Sequence, residues 1–152
     1  MTNANSAEAA EVIAVYPNNI KVRVFDIHAF RRSGSDDNET ENALRVGSYL
    51  LIKGDDGGGI VAMIDTFMLE QTTDGTGNHL LEASPIGYLS ADGKFSRGAT
   101  RISIPPAGVE PADPASISAI FSDIEHVARF DFARLAADPD TLVPVDGNRF
   151  FN

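Results

Sequence analysis

Hydrophobic and polar positions alternate strictly in Ile20-Lys-Val-Arg-Val-Phe25, where Ile20, Val22 and Val24 are separated by Lys21 and Arg23. A period of two is the mark of a strand with one buried face. Val12-Ile-Ala-Val-Tyr16 precedes it, and Pro17-Asn-Asn19 between them predicts a hairpin. From Arg31 to Asn42 no apolar residue occurs, which predicts an exposed loop that contains the acidic stretch Ser33 to Asn42. Strands resume at Ser48 to Lys53, turn through Gly54-Asp-Asp-Gly-Gly-Gly59 and return as Ile60 to Leu69. A second polar loop, Gln71 to Asn78, leads into Leu80 to Leu89, where Pro85 and Gly87 predict an edge position or a bulge instead of a central strand. Ser90-Ala-Asp-Gly93 turns the chain into Lys94 to Ile104, and Pro105-Pro106-Ala-Gly108 is expected to stop the sheet.

Short strands joined by hairpins, with no helix expected between them, predict a mainly β fold: a small closed or nearly closed antiparallel barrel of about six or seven strands. The pattern changes after Gly108. Asp113 is a good N-cap, Pro114 suits the first helical position, and Ile117, Ile120, Phe121 and Ile124 fall on one helical face. Phe130, Phe132 and Leu135 are expected to extend that apolar surface in a second short helical piece ending near Asp138-Pro139, and Thr141 to Val145 reads as a strand with a turn at each end. The expected organisation is therefore a flexible N-terminus at 1–10, a barrel at 11–108, a helical segment at 109–138 and a strand or linker at 139–152.

At 152 residues the chain is long enough for one domain with a core, and 43% hydrophobic residues suffice to fill it. A net charge of -10, with only 12 Lys and Arg, argues against a nucleic-acid surface, because phosphate binding draws on cations. Without cysteine there are no disulfides, thiolate metal sites or thiol nucleophile. Met1 to Ala10 has no apolar signal-like core, and no run reaches the length of a membrane span, so a soluble cytoplasmic protein is the default expectation.

Candidate chemistry is sparse. His28, His79 and His126 lie in separate segments without ligand spacing, and Asp36, Asp37, Glu39 and Glu41 lack the pattern of a calcium loop. Gly57-Gly58-Gly59 lies between two strands, with no Gly-Lys-Ser or Gly-Lys-Thr in the chain, which favours a hairpin over a phosphate cradle. Asp26, His28 and a serine could form a triad on paper, but no nucleophile elbow surrounds any serine. Lys94, Arg97 and Arg101 make the one local basic cluster, either a solvated face or an interface. The residues support a binding or assembly module with no catalytic residue, cofactor site or metal site within the chain.

Ile86-Gly-Tyr-Leu-Ser-Ala-Asp-Gly-Lys-Phe-Ser-Arg-Gly98, followed by Ile104-Pro-Pro-Ala-Gly108 and an amphipathic helix, resembles the amino-terminal barrel of HerA-type ATPases. Leu44-Arg-Val-Gly-Ser-Tyr-Leu and Pro17-Asn-Asn-Ile-Lys-Val22 look like a strand opening and the first hairpin of that barrel, and Val143 to Asn152 resembles its lead-in to the motor. The resemblance implies a non-catalytic barrel that makes subunit contacts in a hexameric ring and docks a nuclease or other effector, in some systems for antiphage defence. It also implies a parent DNA translocase or helicase that uses ATP and magnesium at a phosphate loop beyond Asn152 and meets DNA through its motor domain. Tyr88, Lys94, Phe95, Arg97 and Arg101 are then the expected interface, and Phe150 and Phe151, adjacent aromatics at the end of the chain, the expected junction to the motor. The acidic loop Ser33 to Asn42 departs from the family pattern. The alternative is a stand-alone barrel that binds a small ligand or oligosaccharide.

Overall fold

The computed structural model describes residues 9–33, 44–71, 77–98, 107–122, 129–135 and 140–146. Residues 34–42 of the acidic loop, Arg101, Ile124, His126, Phe150 and Phe151 lie outside them. Strands β1 (Ala10–Tyr16) and β2 (Asn19–Val24) form the expected hairpin, with Tyr16 opposite Asn19 and Pro17-Asn18 as its turn. Ile20, Val22 and Val24 are buried and the intervening Lys21 and Arg23 are only partly so, as the alternation predicts.

A helix the strand pattern does not predict follows at once: α1 (Ile27–Arg32). Asp26 caps it, one carboxylate oxygen accepting from the backbone N–H groups of His28 and Ala29 at 2.9 Å each. The helix carries Phe30 into the core, where it is fully buried. At less than two turns it is too short for helical periodicity to stand out in the sequence.

Strands β3 (Tyr49–Lys53) and β4 (Gly59–Gln71) pair through the glycine-rich turn, and β5 (Gly77–Leu89) returns along the whole of β4. After β5 come the short strands β6 (Phe95–Arg97) and β7 (Val109–Pro111). The sheet order is β1-β2-β5-β4-β3-β7, with β6 also on β5. This seven-stranded antiparallel sheet curls into a half-barrel whose end strands meet at the bridge Glu11 to Gly108, reinforced by Val12 N–H donating to the Ala107 carbonyl at 2.9 Å. The sheet thus takes up one more strand after Gly108, where the sequence was expected to leave it. β7 is needed there because it covers the outer side of β3.

Of the edge position or bulge expected for Leu80 to Leu89, the edge is corrected and the bulge is present: β5 is central, flanked by β4 on one side and by β2 and β6 on the other, and Ile86 is an extra residue between Pro85, opposite Ala62, and Gly87, opposite Val61. Its proline is tolerated for a local reason. β2 pairs with β5 only up to Ala83 and β6 only from Gly87, so Pro85 falls in the gap between them, next to the β5 bulge at Ile86.

Val22, Phe30, Leu50, Ile64 and Leu81 are among the fully buried residues that fill the concave side of the sheet. A smaller cluster of Val61, Leu89, Phe95 and Ile120 lies under helix α2 (Pro114–Ile120) on the other face. Gly59 to Ala62 are therefore buried without alternation, since both faces of β4 are covered at that point. The α2 N-cap is Asp113, which accepts from Ser116 N–H at 2.7 Å, and Pro114 opens the helix, both as expected. Ile117 and Ile120 are buried, whereas Phe121 is a half-buried C-cap.

The helical piece expected at Phe130 to Leu135 is not formed. Strand β8 (Arg129–Arg134) occupies it and pairs with β9 (Leu142–Asp146) in a separate two-stranded sheet. Phe130-Asp-Phe132 has the period of a strand, and β9 supplies the partner that secures it. Within the expected helical segment 109–138, described helix is confined to Pro114–Ile120.

Candidate interaction surface

Two hairpin turns meet at one end of the sheet, and between them they position four of the five residues expected at an interface. The β3–β4 turn is closed by Gly54 N–H donating to the Gly58 carbonyl at 2.8 Å, with Gly57 at φ 80°. Asp56 accepts from Gly58 N–H at 3.2 Å and from the Tyr88 hydroxyl on β5. Gly58 has no room for a Cβ, because the Tyr88 hydroxyl and the Leu89 carbonyl already fill that space. The glycines Gly57 to Gly59 thus serve a hairpin, as their position between strands predicts. Tyr88 is a half-buried brace between two turns.

The β5–β6 turn is organised by Ser90. Its hydroxyl donates to Asp92 and accepts from Lys94 N–H at 3.2 Å, while Gly93, at φ 81°, donates its N–H to the Ser90 carbonyl at 2.9 Å. The Ser90 hydroxyl, followed by the Lys94 ammonium, holds the Asp92 carboxyl below its ordinary pKa. Lys94 lies 3.4 Å from Asp92, both well exposed. Arg97 is exposed on β6. Phe95 differs from its neighbours: its ring is buried in the cluster under α2, above Gly87. Tyr88, Lys94 and Arg97 therefore share one end of the sheet and Phe95 supports them from within.

The paper triad does not assemble. Asp26 spends its carboxylate on the α1 cap, where the Ala29 N–H is the main cause of its lowered pKa, and His28 is exposed on that helix. His79 lies on β5 and packs against Phe67 at a steep angle, with ring centroids 5.4 Å and ring planes 61° apart. Among the described residues no group of three His, Asp or Glu side chains could hold a metal ion. Among them, too, no helix is long and apolar enough to cross a membrane.

One exposed feature escaped the sequence reading. β4 runs on along β5 past the end of β3, leaving Met68 and Leu69 at 39% and 60% exposure. The signal was present in the length of the expected strand Ile60 to Leu69, which exceeds that of its partner β3. No protein-family model matches this chain, and no curated protein matches it.

Proposed function

We propose that this chain is a non-catalytic assembly and docking barrel that belongs to a HerA-type DNA translocase, with self-contacts in a hexameric ring and a nuclease or other effector as its partner. The observation that carries the reading is the filled interior. Val22, Leu50, Ile64, Leu81 and Phe30 pack the concave side of the sheet completely enough that each is inaccessible to solvent, so binding falls to outer faces, turns and edges. This also weighs against a ligand held inside the barrel.

The resemblance supports the finer assignment. Ile86 to Gly98, its longest phrase, spans the end of β5, the Ser90 turn and β6, the region that carries Tyr88, Lys94 and Arg97. The net charge of -10 fits a module that meets protein and leaves DNA, ATP and magnesium to a motor domain. The test is the coding sequence that follows Asn152 and the protein it encodes. A Gly-rich phosphate loop ending in Lys-Ser or Lys-Thr, with ATP hydrolysis and ring formation by that longer protein, is expected. Lack of such a loop, or a ring indifferent to Arg97→Glu and Lys94→Glu together, overturns the proposal.

A further inference from the structure

We propose that the free edge of β4, Asp65 to Gln71, is a self-association surface that pairs antiparallel with the same edge of a second copy of this chain. β3 covers that side of β4 only as far as Met63, and the ladder is extended by Ile64, which exchanges backbone hydrogen bonds with Gly47 and Ser48 at 2.8 Å each. From Asp65 onward, no described residue pairs with that side, while β5 holds the other side to the end, Gln71 opposite Gly77. This end of β4 thus presents a row of backbone donors and acceptors in extended geometry, ready to template another strand.

The edge is poorly defended. Lysine and proline, the residues that usually discourage pairing at edges, do not occur between Asp65 and Gln71. Its charges are Asp65, which accepts from Ser84 at 2.6 Å beside a register irregularity, and Glu70. Phe67 is half-buried against His79, but Met68 and Leu69 offer apolar surface to a neighbour.

The occupant follows from the register. An antiparallel pairing centred on Met68 uses the whole segment and sets Phe67 opposite Leu69, Thr66 opposite Glu70 and Asp65 opposite Gln71. No acid faces an acid. Slipping one way sets Asp65 against Glu70, which like-charge repulsion opposes, and other slips shorten the ladder. Only Met68 meets its own counterpart. Each copy carries a net charge of -10, so the two molecules repel at long range; salt screens that repulsion and leaves the ladder intact. Association therefore strengthens as salt rises, the opposite of an interface built on ion pairs.

The chain has no cysteine, so a single one reports the register directly. In Met68→Cys the two thiols lie directly opposite, within disulfide reach. In Thr66→Cys the equivalent atoms are about 13 Å apart along the ladder, too far to bridge. The experiment combines sedimentation equilibrium of the unmodified chain at low and high salt with disulfide trapping of both variants. The expected result is a dimer that grows with concentration and salt, a Met68→Cys disulfide formed at least about tenfold faster than the Thr66→Cys one, and loss of the dimer in Met68→Lys with its circular dichroism unchanged. A chain that stays monomeric at every concentration and salt, or equal trapping of the two variants, overturns the proposal. Sedimentation of the unmodified chain decides even if a variant fails to fold.

Discussion

Gly87→Ala tests whether the short strand β6 is seated by close contact with β5. A Cβ built on Gly87 collides with the tip of the Phe95 ring and with the Ser96 backbone carbonyl, and comes within 2.6 Å of a second ring carbon. Gly87 is paired with Val61 on one side and with Arg97 on the other, so neither strand can retreat without losing its ladder. Overpacking of this kind costs about 1 to 3 kcal/mol. The alanine returns about 0.4 to 1 kcal/mol by restricting the unfolded chain. Because one obstacle is backbone, the upper half of the first range applies, and the net destabilisation is about 2 kcal/mol. For a chain of 152 residues that lowers Tm by about 4 to 8 °C.

Phe95 makes the reasoning separable. Removing its ring in Phe95→Ala costs about 3 to 5 kcal/mol by itself, since the side chain is buried among Val61, Leu89 and Ile120. In the double variant the added methyl has lost one of its two obstacles and gained a cavity. The combined cost is therefore smaller than the sum by about 1 kcal/mol or more. Urea unfolding followed by circular dichroism measures all four proteins. Gly87→Ala within about 0.5 kcal/mol of the unmodified chain, or strict additivity with Phe95→Ala, would refute the idea that β6 is seated by this contact.

Other perturbations separate core, cap and surface. Phe30→Ala empties a fully buried position and should cost about 3 to 5 kcal/mol in urea unfolding, whereas Phe121→Ala, at a half-buried C-cap, should cost clearly less. The Asp26 carboxyl has its folded pKa depressed below 3.8 by backbone N–H donors, so its contribution is present above the unfolded pKa and lost as pH falls through the folded one. Asp26→Asn should therefore flatten the stability profile on the acid side of that range and leave the neutral side flat, as read by thermal melts from neutral to acid pH. Arg97→Glu, on an exposed strand position, should shift stability by no more than about 0.5 kcal/mol; unfolding in this variant would make the side chain structural. Gel-shift titration with duplex DNA at moderate salt should find no micromolar complex, given the net charge of -10, and a tight complex that salt weakens steeply would contradict it.

By itself the sequence determined where the chain turns and which faces its first strands bury. Alternation in Ile20 to Val24, the Pro17-Asn18 turn, the glycine turn before β4 and the Asp113-Pro114 start of α2 are local signals, and each acts within a few residues of the structure it specifies. The location of Tyr88, Lys94 and Arg97 around neighbouring turns was legible for the same reason. Tertiary structure decided what depends on a distant partner. Pro85 can sit in a central strand because β2 and β6 divide the far side of β5 and leave a gap for it. Val61 is buried because α2, some fifty residues later, covers the outer face of β4, and Phe95 is turned inward by that same helix. Arg129 to Arg134 is a strand because β9 pairs with it, and Val109 to Pro111 is one because β3 needs a neighbour. Periodicity reports how many faces of a segment are buried, but hydrogen-bond partners from elsewhere in the chain choose its place in the sheet and, among the described residues, leave the end of the β4 edge unpaired.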